Sequence, residues 1–207
     1  MRSANDVHDD TGTRARWHLP LLGGVAVLLV AAGWFFPLWR ATLYAPQYPG
    51  GLTMHAYGHQ VTGDVDEISG LNHYVGMRPF DIADFPEMAL WPYVIIGALV
   101  AVGLALLVRR PVLRAIGLVY LWGTPLGVLA VIQFRLHQYG QDLDPGAALR
   151  IDPFTPIVVG PTEVWNFTTW SWPGLGTLAL LLAAALLTFG PGLLRRWSAR
   201  ASGSDPT

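Results

Sequence analysis

The stretch MALWPYVIIGALVAVGLALLVRRPVLRAIGLVYLWGTPLGVLAVIQF, residues 88–134, decides the class of this chain. Two apolar runs, 88–108 and 112–134, flank the turn Arg109-Arg110-Pro111. Each is about 20 residues long, enough helix to cross roughly 30 Å of hydrocarbon at about 1.5 Å per residue. Arginines and a proline between two such runs read as a tight helical hairpin turning at a membrane surface. Pro125 should kink the second run, whereas Pro92 sits early enough in the first to be mild.

Two further runs of the same kind lie at 19–39 and 174–194. The expectation is an all-α membrane protein with four transmembrane helices, 19–39, 88–108, 112–134 and 174–194. Loops 40–87 and 135–173 would build a small irregular lobe, part of it β, because loops this long without a role are uncommon. Composition agrees: 13% of residues are charged, against about 25% in soluble domains. The first run is longer than the apolar region of a signal peptide. Its leader carries Asp6, Asp9 and Asp10, and no small-x-small site follows, so it reads as an uncleaved anchor.

Arginine sets the orientation. Arg2, Arg14, Arg16, Arg109, Arg110, Arg114, Arg195, Arg196 and Arg200 fall on one side, against Arg40, Arg78, Arg135 and Arg150 on the other. The positive-inside rule makes the tails 1–18 and 195–207 and the turn 109–111 cytoplasmic, in a multi-pass protein of the inner or plasma membrane. Trp34, Trp39, Trp91, Trp170 and Trp172 would mark the outer interface, and Trp17 and Trp197 the inner one.

Several functions are excluded. There is no cysteine, hence no disulfide, thiolate metal site or cysteine nucleophile. The runs carry no ionisable group in their interiors, which argues against carriers and pumps. They hold no histidine and only the boundary residue Met88, which argues against a bundle-bound haem. No phosphate-cradling loop or nucleophile motif is present, so neither a nucleotide nor catalysis by this chain alone is expected, and no nucleic-acid partner.

The chemistry gathers in the first outer loop. It holds or borders Met54, Met77 and Met88, and it contains His55, His59 and His73. Imidazole and thioether together favour copper, particularly Cu(I). Residues 52–61 read as a strand with Leu52, Met54 and Ala56 on one face. On such a strand His55 and His59 stand about 13 Å apart and cannot share an ion. Residues 68–77 read as a short helix, which would bring His73 and Met77 together at i and i+4. A third ligand would come from His55, His59, Met54, Met88, Glu87 or His137. The alternative is that His73, Tyr74 and Met77 only pack that helix onto the bundle. Asp64, Asp66 and Glu67 lack calcium-loop spacing and read as a solvated turn. Asp84 is expected to cap the second span.

Phe36-Pro-Leu-Trp39 leading to Ala45-Pro-Gln-Tyr-Pro-Gly-Gly-Leu52, Gly70-Leu-Asn-His-Tyr-Val-Gly-Met77, and Asn166-Phe-Thr-Thr-Trp-Ser-Trp-Pro173 together carry a resemblance. The chain resembles a family of small bacterial membrane proteins whose genes lie among those for nitrous-oxide reductase maturation and copper delivery. The resemblance implies that His73 and Met77 are the functional pair. The expectation is a membrane-anchored accessory or assembly factor handling copper for an extracytoplasmic copper-dependent oxidoreductase. The alternative is a metal-free structural or docking subunit of a larger membrane complex.

Overall fold

The computed structural model describes residues 4–149 and 151–202. The elements are α1 (Ala4–Phe35), β1 (Trp39–Ala45), β2 (Tyr48–Ala56), β3 (Val61–Gly63), α2 (Val65–Tyr74), α3 (Trp91–Leu107), α4 (Pro111–Gln141), β4 (Gly160–Val164), β5 (Phe167–Pro173) and α5 (Leu175–Ser202). Two 3-10 turns, Ile82–Asp84 and Pro86–Leu90, lead into α3.

This corrects the all-α expectation. The lobe formed by the two long loops is built on a five-stranded antiparallel sheet in the order β3-β2-β1-β5-β4. Among the described residues three helices, not four, are long and apolar enough to cross a membrane: Pro86–Leu107, Pro111–Gln141 and Leu175–Leu194. Within the part of α1 whose side chains are described, Pro20–Phe35 is a shorter apolar helix. The expected first span overran because Pro37, with fixed φ and no N–H, cannot extend a helix. Residues from Trp39 onward are strand. The tails 1–18 and 195–207 are helical from Ala4 and up to Ser202. Trp17 and Trp197 lie outside the residues whose side chains are described.

The helices pair antiparallel. Gly33 packs on Leu180 and Gly190 on Leu22, joining α1 to α5. Gly117 lies against Ala101 and Gly97 against Tyr120, joining α3 to α4. Small residues let the backbones approach closely, which is how helices associate without a hydrophobic drive in lipid. Ala26, Val30, Ala98, Leu121, Ala183 and Leu187 form the centre of the core.

The sheet stands on the α1–α5 pair. β1 begins just after α1 and β5 ends just before α5, and the two strands pair in register from Trp39↔Pro173 to Tyr44↔Thr168. Their junctions are bonded directly: Gly174 N–H donates to Leu38 O at 2.8 Å, and Gly176 N–H to Pro37 O at 2.9 Å. The buried Thr177 hydroxyl donates to the same Leu38 carbonyl at 2.8 Å. Period-two alternation then sorts the sheet's faces. Trp39, Ala41 and Ser171 are buried on the inner face, while Arg40, Trp170 and Trp172 are exposed on the other. Trp39 and Trp91 therefore belong to the interior and not to an interfacial belt.

Candidate functional site

The inner face of the sheet and the outer halves of α3 and α4 enclose a cavity of about 500 Å³. On the lobe side its wall includes Trp39, Met54, Ala56 and Ile68. On the helix side it includes Trp91, Val94, Gly123, Gly127 and Val131. Gly123 and Gly127 sit four apart on α4 and so share one helix face. A Cβ at either would meet nothing within 4 Å. The missing side chains leave a trough along α4. Val131 and Tyr120, 41% and 38% exposed, sit along the same wall.

The outer end is polar. Arg135 grips Glu87 with two bonds, Nε to Oε1 at 2.7 Å and Nη2 to Oε2 at 2.6 Å. This bidentate fork is the strongest carboxylate pairing geometry. Gln138 Oε1 accepts a third bond from Arg135 at 3.2 Å, and the Phe85 ring lies under the guanidinium, 5.5 Å from its centroid. Tyr139 donates to Asp84 at 3.2 Å. Arg78 pairs with Asp142 at 3.3 Å and lies over the Tyr139 ring. Asp84, Glu87 and Asp142 thus answer two guanidiniums, so the mouth is close to neutral and slightly acidic. Asp84 is spent on Tyr139 and does not cap the second span. α3 starts at Trp91, and its N-cap residue Leu90 makes no side-chain capping bond.

One polar group on the wall is unmatched. Trp91 is 4% exposed, and its indole Nε1 has no hydrogen-bond partner. Gly58 lies flat on the Trp91 ring, close enough that a Cβ there would overlap it. His55 Nδ1 and His59 Nδ1 are also buried without partners. An imidazole can put its proton on the other nitrogen, whereas an indole can only donate.

The expected copper ligands divide. Met54, Met77, Met88 and Glu87 line the cavity, although Glu87 is committed to Arg135. His73 does not join them: it is exposed. The expected i,i+4 pairing of His73 with Met77 is absent because α2 ends at Tyr74. Gly76 takes φ +81°, Met77 N–H donates to Asn72 O at 2.9 Å, and Gly76 N–H to His73 O at 3.2 Å. That is a Schellman stop, with glycine in the left-handed position. It turns the chain so that Met77 reaches the cavity and His73 is left outside.

β2 is likewise shorter than expected, ending at Ala56. His55 falls on the outer sheet face, in register with Arg40 and Thr62. His59 lies beyond the strand, in the β2–β3 turn, its ring stacked on Trp34 at 4.8 Å. His137 is on α4 and bonds Thr155 Oγ1 at 2.9 Å. Asp64 accepts from Thr53 N–H at 2.7 Å, holding the turn before α2. Among the described residues no group of three or more His, Asp or Glu side chains is arranged to hold a metal ion.

The sequence reading missed Trp91, Gly123, Gly127, Arg135 and Tyr139 as cavity residues. The Gly-x-x-x-Gly spacing at 123–127 was the available signal, along with a lone arginine just past the apolar run. No protein-family model, curated protein or solved structure matches the chain.

Proposed function

We propose that this is a membrane-anchored accessory protein whose outer lobe and α3–α4 hairpin together hold an apolar, bilayer-derived ligand. The observation that carries this reading is the trough at Gly123 and Gly127, which continues from lipid depth into a cavity under the sheet. Ligand pockets of about 300–1,000 Å³ with mostly apolar walls and a few polar groups are the usual form of such sites. The lobe is on the extracytoplasmic side, since the Arg109–Arg110 turn marks the opposite end of the hairpin as cytoplasmic.

Gly127→Trp puts a large side chain into the trough at a position where a Cβ meets no atom within 4 Å. Lipid extracted from purified wild-type protein is expected to contain about one tightly held apolar molecule per chain, and the variant at least tenfold less. Equal retention by a folded variant would sink the reading.

A second reading is supported by the methionines. Three thioethers line the cavity, Met54, Met77 and Met88, and thioethers are donors that suit Cu(I) as cargo in a compartment where thiols oxidise. This keeps the role in copper delivery that the resemblance implies, with His73 replaced by Met54 and Met88. The Met54→Leu/Met77→Leu/Met88→Leu variant conserves volume closely enough to fold. It is expected to lose Cu(I) binding in competition with a chromogenic chelator. Copper uptake equal to wild type would reject this reading and leave the apolar-ligand reading intact.

A further inference from the structure

We infer that residues 77–90 form a strap that swings off the last turns of α4 and opens the cavity to water at the end away from the Arg109–Arg110 turn. The inference goes beyond the apolar-ligand reading and stands without it, because it concerns the wall of the cavity and not the occupant.

The strap runs between two fixed points. At one end Gly76 is buried, and its carbonyl accepts from Asp144 N–H at 2.8 Å. At the other end Trp91 is 4% exposed and lies under Gly58. Between these points no residue is fully buried, yet Met77, Phe80, Phe85 and Met88 line the cavity. The segment covers the cavity from outside without being packed into the fold.

Its attachments are mostly side chains. Among the described residues, 77–90 makes no backbone-to-backbone bond to α4 or to the sheet; those of Asp84, Phe85 and Met88 close local turns. Phe80 N–H donates to Ser69 Oγ on α2 at 3.1 Å. Arg78 then reaches Asp142, Asp84 reaches Tyr139 and Glu87 reaches Arg135. Positions 135, 139 and 142 are spaced by four and three, so they share one face of α4. Phe85 stacks on Tyr139 along the same stripe, their centroids 6.0 Å apart. A seam of side chains on one helix face parts without breaking a strand or a helix.

The seam is also weak enough to part. The Arg78 and Asp142 side chains are 51% and 69% exposed, and exposed pairs hold loosely and are screened by salt. The Glu87–Arg135 fork is less exposed and is the main clasp. Segments with few buried contacts open at far lower free energy than the whole fold. Gly76, at φ +81°, gives the chain a permissive residue on which to pivot beside its fixed end.

The chain has no cysteine, so one introduced thiol is a clean reporter. Met54→Cys puts it on the cavity wall, on a strand outside the strap. Leu52→Cys puts it on the same strand, in the small core formed with Ala45, Ile68 and Leu71. The full chain in nanodiscs is treated with a permanently charged methanethiosulfonate, which does not enter through lipid. When closing is fast, the reaction rate follows the open population. Glu87→Arg sets a like charge against Arg135 and is expected to speed modification of the Met54→Cys protein about tenfold. Arg78→Glu, at the more exposed pair, should speed it about threefold and carries the test if Glu87→Arg does not fold. The swap Glu87→Arg/Arg135→Glu is expected to restore the slow rate. Salt at about 1 M should speed modification with the strap otherwise unchanged. The Leu52→Cys protein should stay slow throughout.

Unchanged rates in Glu87→Arg and Arg78→Glu overturn the strap. Equal acceleration at both reporters overturns it too, because the lobe then loosens as a whole. A swap that stays fast would show that the pairing does not hold the seam closed. Lipid retention, read separately with Gly127→Trp, is untouched by any of these outcomes.

Discussion

Gly174→Val is expected to destabilise the protein on the order of 3 kcal/mol and to detach the sheet from its helical base. A Cβ at Gly174 would lie 2.1 Å from Pro37 O and 2.7 Å from Pro37 C, both backbone atoms. A side chain there pushes apart the α1–β1 and β5–α5 junctions. It strains the bonds from Gly174 and Gly176 to the Leu38 and Pro37 carbonyls and the buried bond from Thr177. The chain has little slack at this point, since only residues 36–38 join α1 to β1 and only Gly174 joins β5 to α5. The measurement is the apparent melting temperature in detergent, beside Gly103→Ala as control. A Cβ at Gly103 meets nothing within 4 Å, and alanine suits a helix interior better than glycine by about 0.5–1 kcal/mol. The control should be neutral or slightly stabilising. A Gly174→Val protein that melts with wild type would show that the crossing is not what roots the lobe.

The second large effect is expected at Arg135. Arg135→Ala leaves Glu87 as a carboxylate with its two charge-assisted bonds gone, in a position where its side chain is 30% exposed. Hydrogen bonds to charged groups contribute about 1.5–3 kcal/mol. Partial exposure puts the expected loss near the lower end, about 2 kcal/mol. Removing both partners should cost less than removing Arg135 alone, because no charge is then left without its counter-charge. The check is a double-mutant cycle, Arg135→Ala, Glu87→Ala and the pair. Additive losses would show that the fork contributes no coupling. The same variants are expected to loosen the cavity mouth and speed release of its ligand, since Phe85 packs beneath the Arg135 guanidinium.

The fold was legible in the sequence where local signals sufficed. The α3–α4 hairpin is a hydropathy pattern with an arginine turn, and Leu52, Met54 and Ala56 alternate as a strand should. The rest depended on distant partners. β1 looks like the tail of an apolar helix until Pro37 is taken as a stop. Phe167–Pro173 looks like an aromatic belt because its partner, β1, lies more than a hundred residues earlier. Neither strand announces itself alone, and their pairing makes both.

The site divides the same way. Met54, Met77, Met88 and Glu87 were placed near one another by their shared loop, and all four line the cavity. His73 was assigned to the same site on a helical spacing that Gly76 breaks. A glycine four residues beyond Asn72, immediately before the supposed ligand, was the signal for that stop. Gly123 and Gly127 passed unnoticed because a glycine pair in an apolar run is ordinarily a helix contact. Only the three-dimensional arrangement shows that nothing packs there.

The central claim is that lipid-soluble molecules reach the underside of the sheet. Photolabelling in native membranes, with a diazirine near the head of an alkyl-tailed probe and adducts mapped by peptide mass spectrometry, tests it most directly. The account predicts adducts on the peptides carrying Met54 and Met77, which belong to the lobe and not to a spanning helix, and their loss in Gly127→Trp. Labelling confined to outward-facing helix residues such as Leu99, Ile116 and Val119, unchanged by Gly127→Trp, would contradict it.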